Sequence, residues 1–238
     1  YRLEVKPYRG PLRERRLSVN EAAHLLGDLA YRAGQQATAL EWLQKVDARD
    51  ATVARPFSLR AVIEQHLGRG DLAQHVLGLA QQRDQDDVYV LTNAAHVYWD
   101  KARAESASSP GRKSLFEKVE KYARQALKLD PQSVEAGYYL SQVAREKGEL
   151  DEAIRVLSGL YPRHATDVRL NLELGHLLSR SANPRRALPY LERVIAWEHN
   201  TERRQHAQML LKSLGETQRE VISDLDQEHL TPVQIQAR

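Results

Sequence analysis

The fold is decided by residues 134–160, which read VEAGYYLSQVAREKGELDEAIRVLSGL. Two apolar helical patterns, at 134–147 and 150–160, lie on either side of Gly148. A glycine between two amphipathic segments is typical of a helix end, because glycine readily adopts the left-handed backbone that closes a helix. These residues therefore predict a helical hairpin with a short turn.

The hairpin pattern recurs along the chain at a spacing of 34 residues. Moving 34 residues on, Ala187 takes the place of Ala153, and Leu191 takes the place of Leu157. An upstream copy runs over residues 20–53. A helix–turn–helix unit repeated at this period resembles the tetratricopeptide repeat (TPR) family. A repeat architecture of this kind is stable only when neighbouring hairpins stack.

The family's signature residues have counterparts here. Its two helices approach closest at small residues, which Gly175 and Ala187 supply in one repeat and Gly27 and Ala39 in another. Pro131 matches the proline with which the family ends a repeat. The glycine that ends the first helix of a repeat is matched by three residues, Gly34, Gly70 and Gly148.

The resemblance implies an all-α fold, a right-handed superhelical solenoid of about five degenerate repeats across residues 19–200 with a C-terminal capping helix. We expect the solenoid to occupy residues 19–226, between a basic arm or linker at 1–18 and a frayed tail at 227–238. The repeats are expected near residues 20–53, 56–87, 88–133, 134–167 and 168–201, followed by the cap at 202–226.

The third repeat is longer than the others. Residues 105–112 are rich in serine and include a Pro-Gly pair, a composition typical of a loop. We expect an inserted loop at 105–112 and a second helix at 113–129. The loop is either a neutral connection or a partner-contact segment. Further along, Pro189 is expected to kink the second helix of the fifth repeat.

Charge and composition exclude several classes of protein. The chain has 35 basic and 32 acidic residues, but residues 1–16 alone carry a net charge of +4. The remaining body is almost neutral, so nucleic-acid binding, which needs a basic stripe, is not expected. No apolar run approaches the ~20 residues of a membrane span. The absence of cysteine excludes disulfides and suits either the cytoplasm or a bacterial envelope compartment.

A catalytic or metal site is not expected. The turn Gly68-Arg69-Gly70 lacks the Lys-Ser/Thr pair of a phosphate-binding loop. The acidic run at 84–87 has Tyr89 where a calcium loop needs glycine. The sequence contains no His-Glu-x-x-His motif. We therefore predict a protein that is not an enzyme and that has no cofactor.

The family resemblance implies a concave wall built from the first helix of each repeat. Aromatic and arginine side chains on such a wall are the types that contribute most to protein–protein affinity. The alternative role for each of them is packing between helices. We predict that nine residues bind a partner: Tyr31, Arg60, Tyr89, His96, Trp99, Tyr138, Gln142, Arg145 and His176.

One ligand class of the family is not expected here. The chaperone-binding subclass holds a terminal carboxylate with lysine and asparagine at two positions of the first helix. In this chain those positions hold other pairs, such as Tyr138 with Gln142 and Leu172 with His176. Capture of a terminal carboxylate in that manner is therefore not predicted.

The function expected from the sequence is a non-catalytic interaction scaffold that binds a peptide or a partner protein in its concave groove. Two alternatives remain open. The chain, which lacks an initiator Met and a signal-like leader, could be the accessory TPR domain of a larger bacterial envelope or secretion machine or of an enzyme. It could also be a helical-repeat RNA binder, which the neutral body disfavours.

Overall fold

A computed structural model describes residues 17–47, 49–50 and 53–228, and the side chains as far as residue 215. Within these ranges the regular structure is entirely helical, without a β-strand. The predicted all-α class is therefore confirmed. Apart from two innermost positions each, the expected basic arm at 1–18 and frayed tail at 227–238 lie outside the described residues.

The chain divides into two compact units, residues 1–84 and residues 85–238, each described by itself. The N-terminal unit holds α1 (Val19–Arg32), α2 (Gln36–Leu43), α3 (Arg55–His66) and α4 (Gly70–Arg83). The C-terminal unit holds α5 (Val88–Ala104), α6 (Pro110–Leu129), α7 (Val134–Glu146), α8 (Leu150–His164), α9 (Val168–Ser179), α10 (Leu188–Trp197) and α11 (Thr201–Glu228).

Consecutive helices pair as hairpins in each unit. In the N-terminal unit α1 packs on α2, α3 packs on α4, and α2 contacts α3. In the C-terminal unit the hairpins are α5 with α6, α7 with α8, and α9 with α10. Helix α11 packs against both α9 and α10, so it covers the last hairpin as the expected cap does. Each unit thus has the hairpin order that the 34-residue period predicts.

The first helices of the C-terminal hairpins begin at capping side chains. Asp87 accepts hydrogen bonds from the backbone N–H groups of Tyr89 and Val90 at the start of α5. Ser133 caps α7 and Asp167 caps α9 in the same manner. Each cap satisfies a backbone donor that the helix leaves unpaired, a contribution of about 1 kcal/mol. These capping side chains therefore fix where the first helix of each hairpin begins.

Glycine ends the first helix of three hairpins, but the prediction that Gly70 is one of these glycines is wrong. The backbone φ is +77° at Gly34, +75° at Gly68 and +80° at Gly148. Gly70 instead begins α4, so the register of the second repeat shifts by two residues. As a result Ala73, which has no exposed surface, lies at the position where α4 needs a small residue to approach α3.

Two further glycines bring helices together inside the C-terminal unit. A Cβ added at Gly137 of α7 would lie 2.3 Å from Cδ1 of Leu160 in α8. A Cβ added at Gly175 of α9 would lie 2.5 Å from Cδ2 of Leu191 in α10. Such distances are far inside van der Waals contact, so the absence of a side chain lets each helix pair close.

The inserted loop is shorter than predicted. Only residues 105–109 connect α5 to α6, because α6 begins at Pro110. Proline suits the first turn of a helix, where its fixed φ is favourable and its missing N–H needs no partner. Residues 110–112 are therefore helical. The extra residues lengthen the helices, giving 17 residues in α5 and 20 in α6.

The kink predicted at Pro189 is also wrong. Pro189 lies in the first turn of α10 and produces no kink within a helix. A short 3₁₀ turn, Pro184–Ala187, directly precedes α10. Beyond residue 200 the predicted cap is a single helix, α11, which runs over Thr201–Glu228.

The core of the C-terminal unit runs without a break from α7 to α11. Its most deeply buried side chains include Leu157, Leu174, Leu178 and Leu191, each at most 1% exposed. This shared core holds α7 and α9 in place, and these two helices carry the site described below. Across the described residues, no helix combines the length and apolarity that crossing a membrane requires.

Candidate partner-binding groove

Side chains join α7 to α9 at two levels. Near the helix starts, Arg169 Nη2 lies 2.7 Å from Glu135 Oε1. Further along both helices, Gln142 Nε2 of α7 donates a hydrogen bond of 2.9 Å to Glu173 Oε2 of α9. The capping residues of the two helices are 34 positions apart, so these contacts link equivalent faces of consecutive repeats. The two bridges define a groove along α7 and α9.

A cavity of about 360 Å³ opens in this groove. Its walls are largely apolar, with charged groups at the margins, where Arg169 pairs with Glu135 and Arg203 pairs with Glu198 at 3.0 Å. A concave apolar surface with a few polar groups is the usual form of a binding site. The main lining side chains are Val134, Tyr138, Tyr139, Leu170, Leu172 and Glu173.

The carboxyl ends of α7 and α9 carry positive charge beside this cavity. Arg145 lies in the last turn of α7, and Arg180 follows the last residue of α9. His176 of α9 packs edge-on against His206 of α11, with ring centroids 5.6 Å apart. The groove therefore has an apolar middle and an end that carries two arginines, which we call the basic end of the groove (Arg145 and Arg180, with the imidazoles of His176 and His206 beside them).

Burial shifts the acidic and phenolic groups of the cavity toward their neutral forms. Desolvation raises the pKa of the Glu173 carboxyl, although the Gln142 hydrogen bond and the charges of Arg145 and His206 oppose the shift. The pKa of Tyr138 is raised by burial and by the nearby carboxylate of Glu173. Tyr138 thus offers a neutral phenol, a group that both packs and hydrogen-bonds.

The imidazole of His176 is shifted toward neutrality as well. Burial lowers the pKa of His176, and repulsion from Arg145, His206 and Arg180 lowers it further. A histidine with a lowered pKa binds a proton less readily in the folded protein than in the unfolded chain. It therefore supports folding above the ordinary histidine pKa of 6.5, and this support is lost as the pH falls through that value.

The lowered pKa of His176 predicts how stability changes with pH. Lowering the pH from 7.5 to 5.5 should reduce the free energy of unfolding of the wild type more than that of the His176→Gln variant. Urea unfolding followed by circular dichroism at both pH values measures the difference. His199→Gln, at an exposed position, is the matched control. Equal losses in wild type and His176→Gln would contradict the assignment.

The structure brings three of the predicted partner-binding residues together. Tyr138 lines the cavity, and Arg145 and His176 lie at its basic end. Two others are buried, contrary to the prediction that they face a partner. Gln142 is 2% exposed because it bonds to Glu173, and Trp99 is 5% exposed because its ring packs on Phe116, 5.5 Å away.

Two more predicted residues lie on α5 of the C-terminal unit. His96 Nε2 is 3.3 Å from Asp100 Oδ2, and its ring centroid is 5.3 Å from that of Tyr139. Tyr139 also lines the cavity, so His96 contacts one of the residues that form the groove wall. Tyr89, half-buried, lies at the start of the same helix.

The remaining two predicted residues belong to the N-terminal unit. Tyr31 stacks on His66 with ring centroids 6.1 Å apart. Arg60 Nε lies 3.4 Å from Glu64 Oε1, and Arg69 reaches the other oxygen of this carboxylate at 3.0 Å. Glu64 is only 1% exposed, and a buried carboxylate needs such partners. Arg60 therefore has a structural role in its own unit.

Glu173 and Tyr139 are the important groove residues that the sequence analysis missed. Glu173 stands one position after Leu172, which occupies one of the clamp positions considered above, and Tyr139 stands one position after Tyr138. A signal for Glu173 exists in the sequence, because it is a lone carboxylate between leucines in the apolar helix α9. Such a residue is rarely buried without a polar partner.

Comparison with known proteins supports the family resemblance. A tetratricopeptide repeat family model matches residues 116–168, from within α6 to the first residue of α9. No curated protein sequence shows significant similarity to the chain. Together with the structural similarities that follow, this match confirms the predicted resemblance to the TPR family.

Solved structures share the fold at low sequence identity. A thermophilic TPR protein of Thermus thermophilus, TTC0263, is 16% identical with a TM-score of 0.70, covering 81% of this chain and 98% of that one. Pseudomonas aeruginosa pilF is 18% identical with a TM-score of 0.64, covering 90% and 93%. Human IFIT1, solved as a dimer with m7Gppp-AAAA, is 17% identical with a TM-score of 0.67, covering 88% and 46%. These similarities establish the fold as that of TPR solenoid proteins.

Proposed function

We propose that this protein is a non-catalytic interaction scaffold and that the groove along α7 and α9 holds an extended segment of a partner protein. The observation that carries the proposal is the apolar cavity of about 360 Å³ beside Tyr138. A cavity of this size accommodates one or two apolar side chains of a bound segment.

The construction of the groove favours binding without rearrangement. Both of its helices are capped, share one core and are bridged by Gln142 with Glu173 and by Arg169 with Glu135. A preformed surface loses little conformational entropy when a ligand binds, which increases affinity. TPR proteins in general bind protein partners, so the fold supports the same role.

The alternatives drawn from the sequence place the groove in other settings. As the accessory domain of a larger machine or enzyme, this chain would use the same groove to recruit its partner. An RNA-binding role has less support, because the cavity margins hold paired charges and the body is nearly neutral. A groove for nucleic acid would instead be expected to follow the phosphate backbone with many basic residues.

Substitution of Tyr138 tests the proposal. Partner proteins are captured from nuclease-treated native lysate on immobilised wild type, Tyr138→Ala and Tyr190→Ala, and are identified by mass spectrometry. Tyr190 is a half-buried tyrosine on α10, a helix that does not line the cavity, and is the matched control. We expect partners to be lost with Tyr138→Ala, because alanine removes a large contact surface, and to be retained with Tyr190→Ala.

Circular dichroism spectra of the three proteins verify that helicity is unchanged. Capture that is the same with wild type and Tyr138→Ala would place partner binding outside this groove. A parallel capture from untreated lysate tests the RNA-binding alternative, which would be favoured if proteins captured there are all lost after nuclease treatment.

A further inference from the structure

The basic end of the groove adjoins the apolar cavity directly. Tyr138 and Glu173 line the cavity, and the charge of Arg145 acts on both of them. His206 of α11 acts on Glu173 and contacts His176. A segment lying in the groove with one side chain in the cavity would therefore extend past these basic groups.

Among the described residues, the positive charge at and beside this end is left unpaired. Arg145 and Arg180 have no ion-pair partner there, and neither has Arg103 of α5, whose charge acts on Tyr138. The carboxylate nearest to them in the cavity, Glu173, is engaged by Gln142 and is shifted toward its neutral form. At the opposite end of the groove, by contrast, Arg169 is paired with Glu135.

Resting on the proposed function, we infer that the groove selects partner segments in which an apolar side chain is adjacent to acidic side chains. The apolar side chain occupies the cavity, and the acidic ones contact Arg145 and its neighbours. Arginine forms charge-assisted, bidentate hydrogen bonds with carboxylates, which are stronger than neutral ones. The attraction between a carboxylate and an arginine is stronger beside the apolar wall than in water, because the local dielectric constant is lower.

Acidic side chains within the segment, not its terminal carboxylate, are the expected ligands. The unpaired arginines are spread over α5, α7 and the end of α9. Cations carried by three different helices suit several side chains of a segment, whereas a terminal carboxylate needs one compact clamp. The lysine and asparagine residues of such a clamp are also absent from the corresponding positions, as at Tyr138 and Gln142.

The test is selection from a phage-displayed library of random 12-residue peptides whose carboxyl ends are fused to the coat protein. Wild type, Arg145→Gln, Arg145→Glu, Tyr138→Ala and Arg186→Gln serve as baits. Arg186 is exposed in the 3₁₀ turn before α10 and is the control for loss of one positive charge. Deep sequencing gives the ratio of acidic to basic residues beside enriched apolar positions.

We expect wild type and Arg186→Gln to enrich acidic over basic residues by about tenfold, the ratio that one charge-assisted contact confers. Arg145→Gln should abolish most of the preference, and Arg145→Glu should reverse it. The preference should also weaken at high salt, because the charges are partly exposed to solvent.

The outcomes separate this inference from the proposed function. Enrichment that depends on Tyr138 but shows no acidic preference would overturn the inference and leave the groove assignment standing. Enrichment that does not depend on Tyr138 would overturn both. If Arg145→Gln lowers stability but selects the same acidic peptides, Arg145 serves its own helix terminus and the inference is wrong.

Soluble octapeptides with free and amidated carboxyl ends distinguish internal acids from a terminal carboxylate. A requirement for the free carboxyl end would contradict the inference.

Discussion

Replacing Leu191 with alanine is expected to lower the free energy of unfolding by about 2–5 kcal/mol. Leu191 has no exposed surface and belongs to the core that α7 to α11 share. The change removes buried apolar surface and leaves a cavity that the surrounding helices fill only in part. Urea unfolding followed by far-ultraviolet circular dichroism measures the loss.

A second substitution shows whether Leu191 packs on Gly175 as the structure indicates. Gly175→Ala alone should destabilise by about 1–3 kcal/mol, because its Cβ would lie 2.5 Å from Cδ2 of Leu191. In the Leu191→Ala background this clash is absent, so the double variant should lose less stability than the two single losses added together. Strict additivity would show that the two residues do not contact each other.

Local signals predicted most of the helical architecture. The helical periodicity of the apolar residues in 134–160 predicts a pair of helices, and Gly148 marks the turn between them. Both are short-range effects of backbone geometry and burial, and the structure reproduces them in α7 and α8. The family match over residues 116–168 falls on the same stretch, where the repeat pattern is clearest.

The prediction failed where two local signals competed. Gly68 and Gly70 stand two residues apart, and either can end a helix on composition alone. The spacing decides between them, because Gly68 lies 34 residues after Gly34 and places Ala73 at the close approach of α3 and α4. At Pro110 the error was different, since proline was interpreted as a loop residue although it also favours a helix start.

Positions in the repeat predicted which helix face a residue occupies but not what covers it. Tyr138 lines the cavity, whereas Trp99, which was predicted to bind a partner as well, is covered by Phe116 of the lengthened helix α6. Gln142 is removed from the surface by its bond to Glu173, 31 residues away in the sequence. Contacts of this kind depend on the reach of side chains from other helices, which the repeat pattern does not contain.

The proposed binding mode assigns two separate roles to residues of α7. In this proposal, the apolar cavity beside Tyr138 provides affinity through burial, which depends mainly on the size and polarity of the partner's side chain. Arg145 provides discrimination, because a segment with a basic residue beside it would be repelled. Tyr138 and Arg145 are seven residues apart in the sequence, so separate substitutions can test the two roles.

Replacing Ala153 with leucine tests the packing of the hairpin on which that groove is built. Ala153 begins the buried face of α8 and has no exposed surface, because the close approach of α7 and α8 leaves room only for a small side chain. Three additional carbon atoms have to displace the neighbouring helix or adopt a strained rotamer. We expect a loss of about 1–3 kcal/mol in the free energy of unfolding, measured as a lower melting temperature and urea midpoint.

Arg155→Leu on the same helix is the matched control. Arg155 is exposed, and its ion pair with Glu152 at 2.6 Å is of the surface kind that contributes little to stability. This variant introduces the same leucine without overpacking a helix interface, so its melting temperature should stay near that of the wild type. Equal melting temperatures for wild type and Ala153→Leu would mean that position 153 does not face α7, and the repeat register of the C-terminal unit would then be wrong.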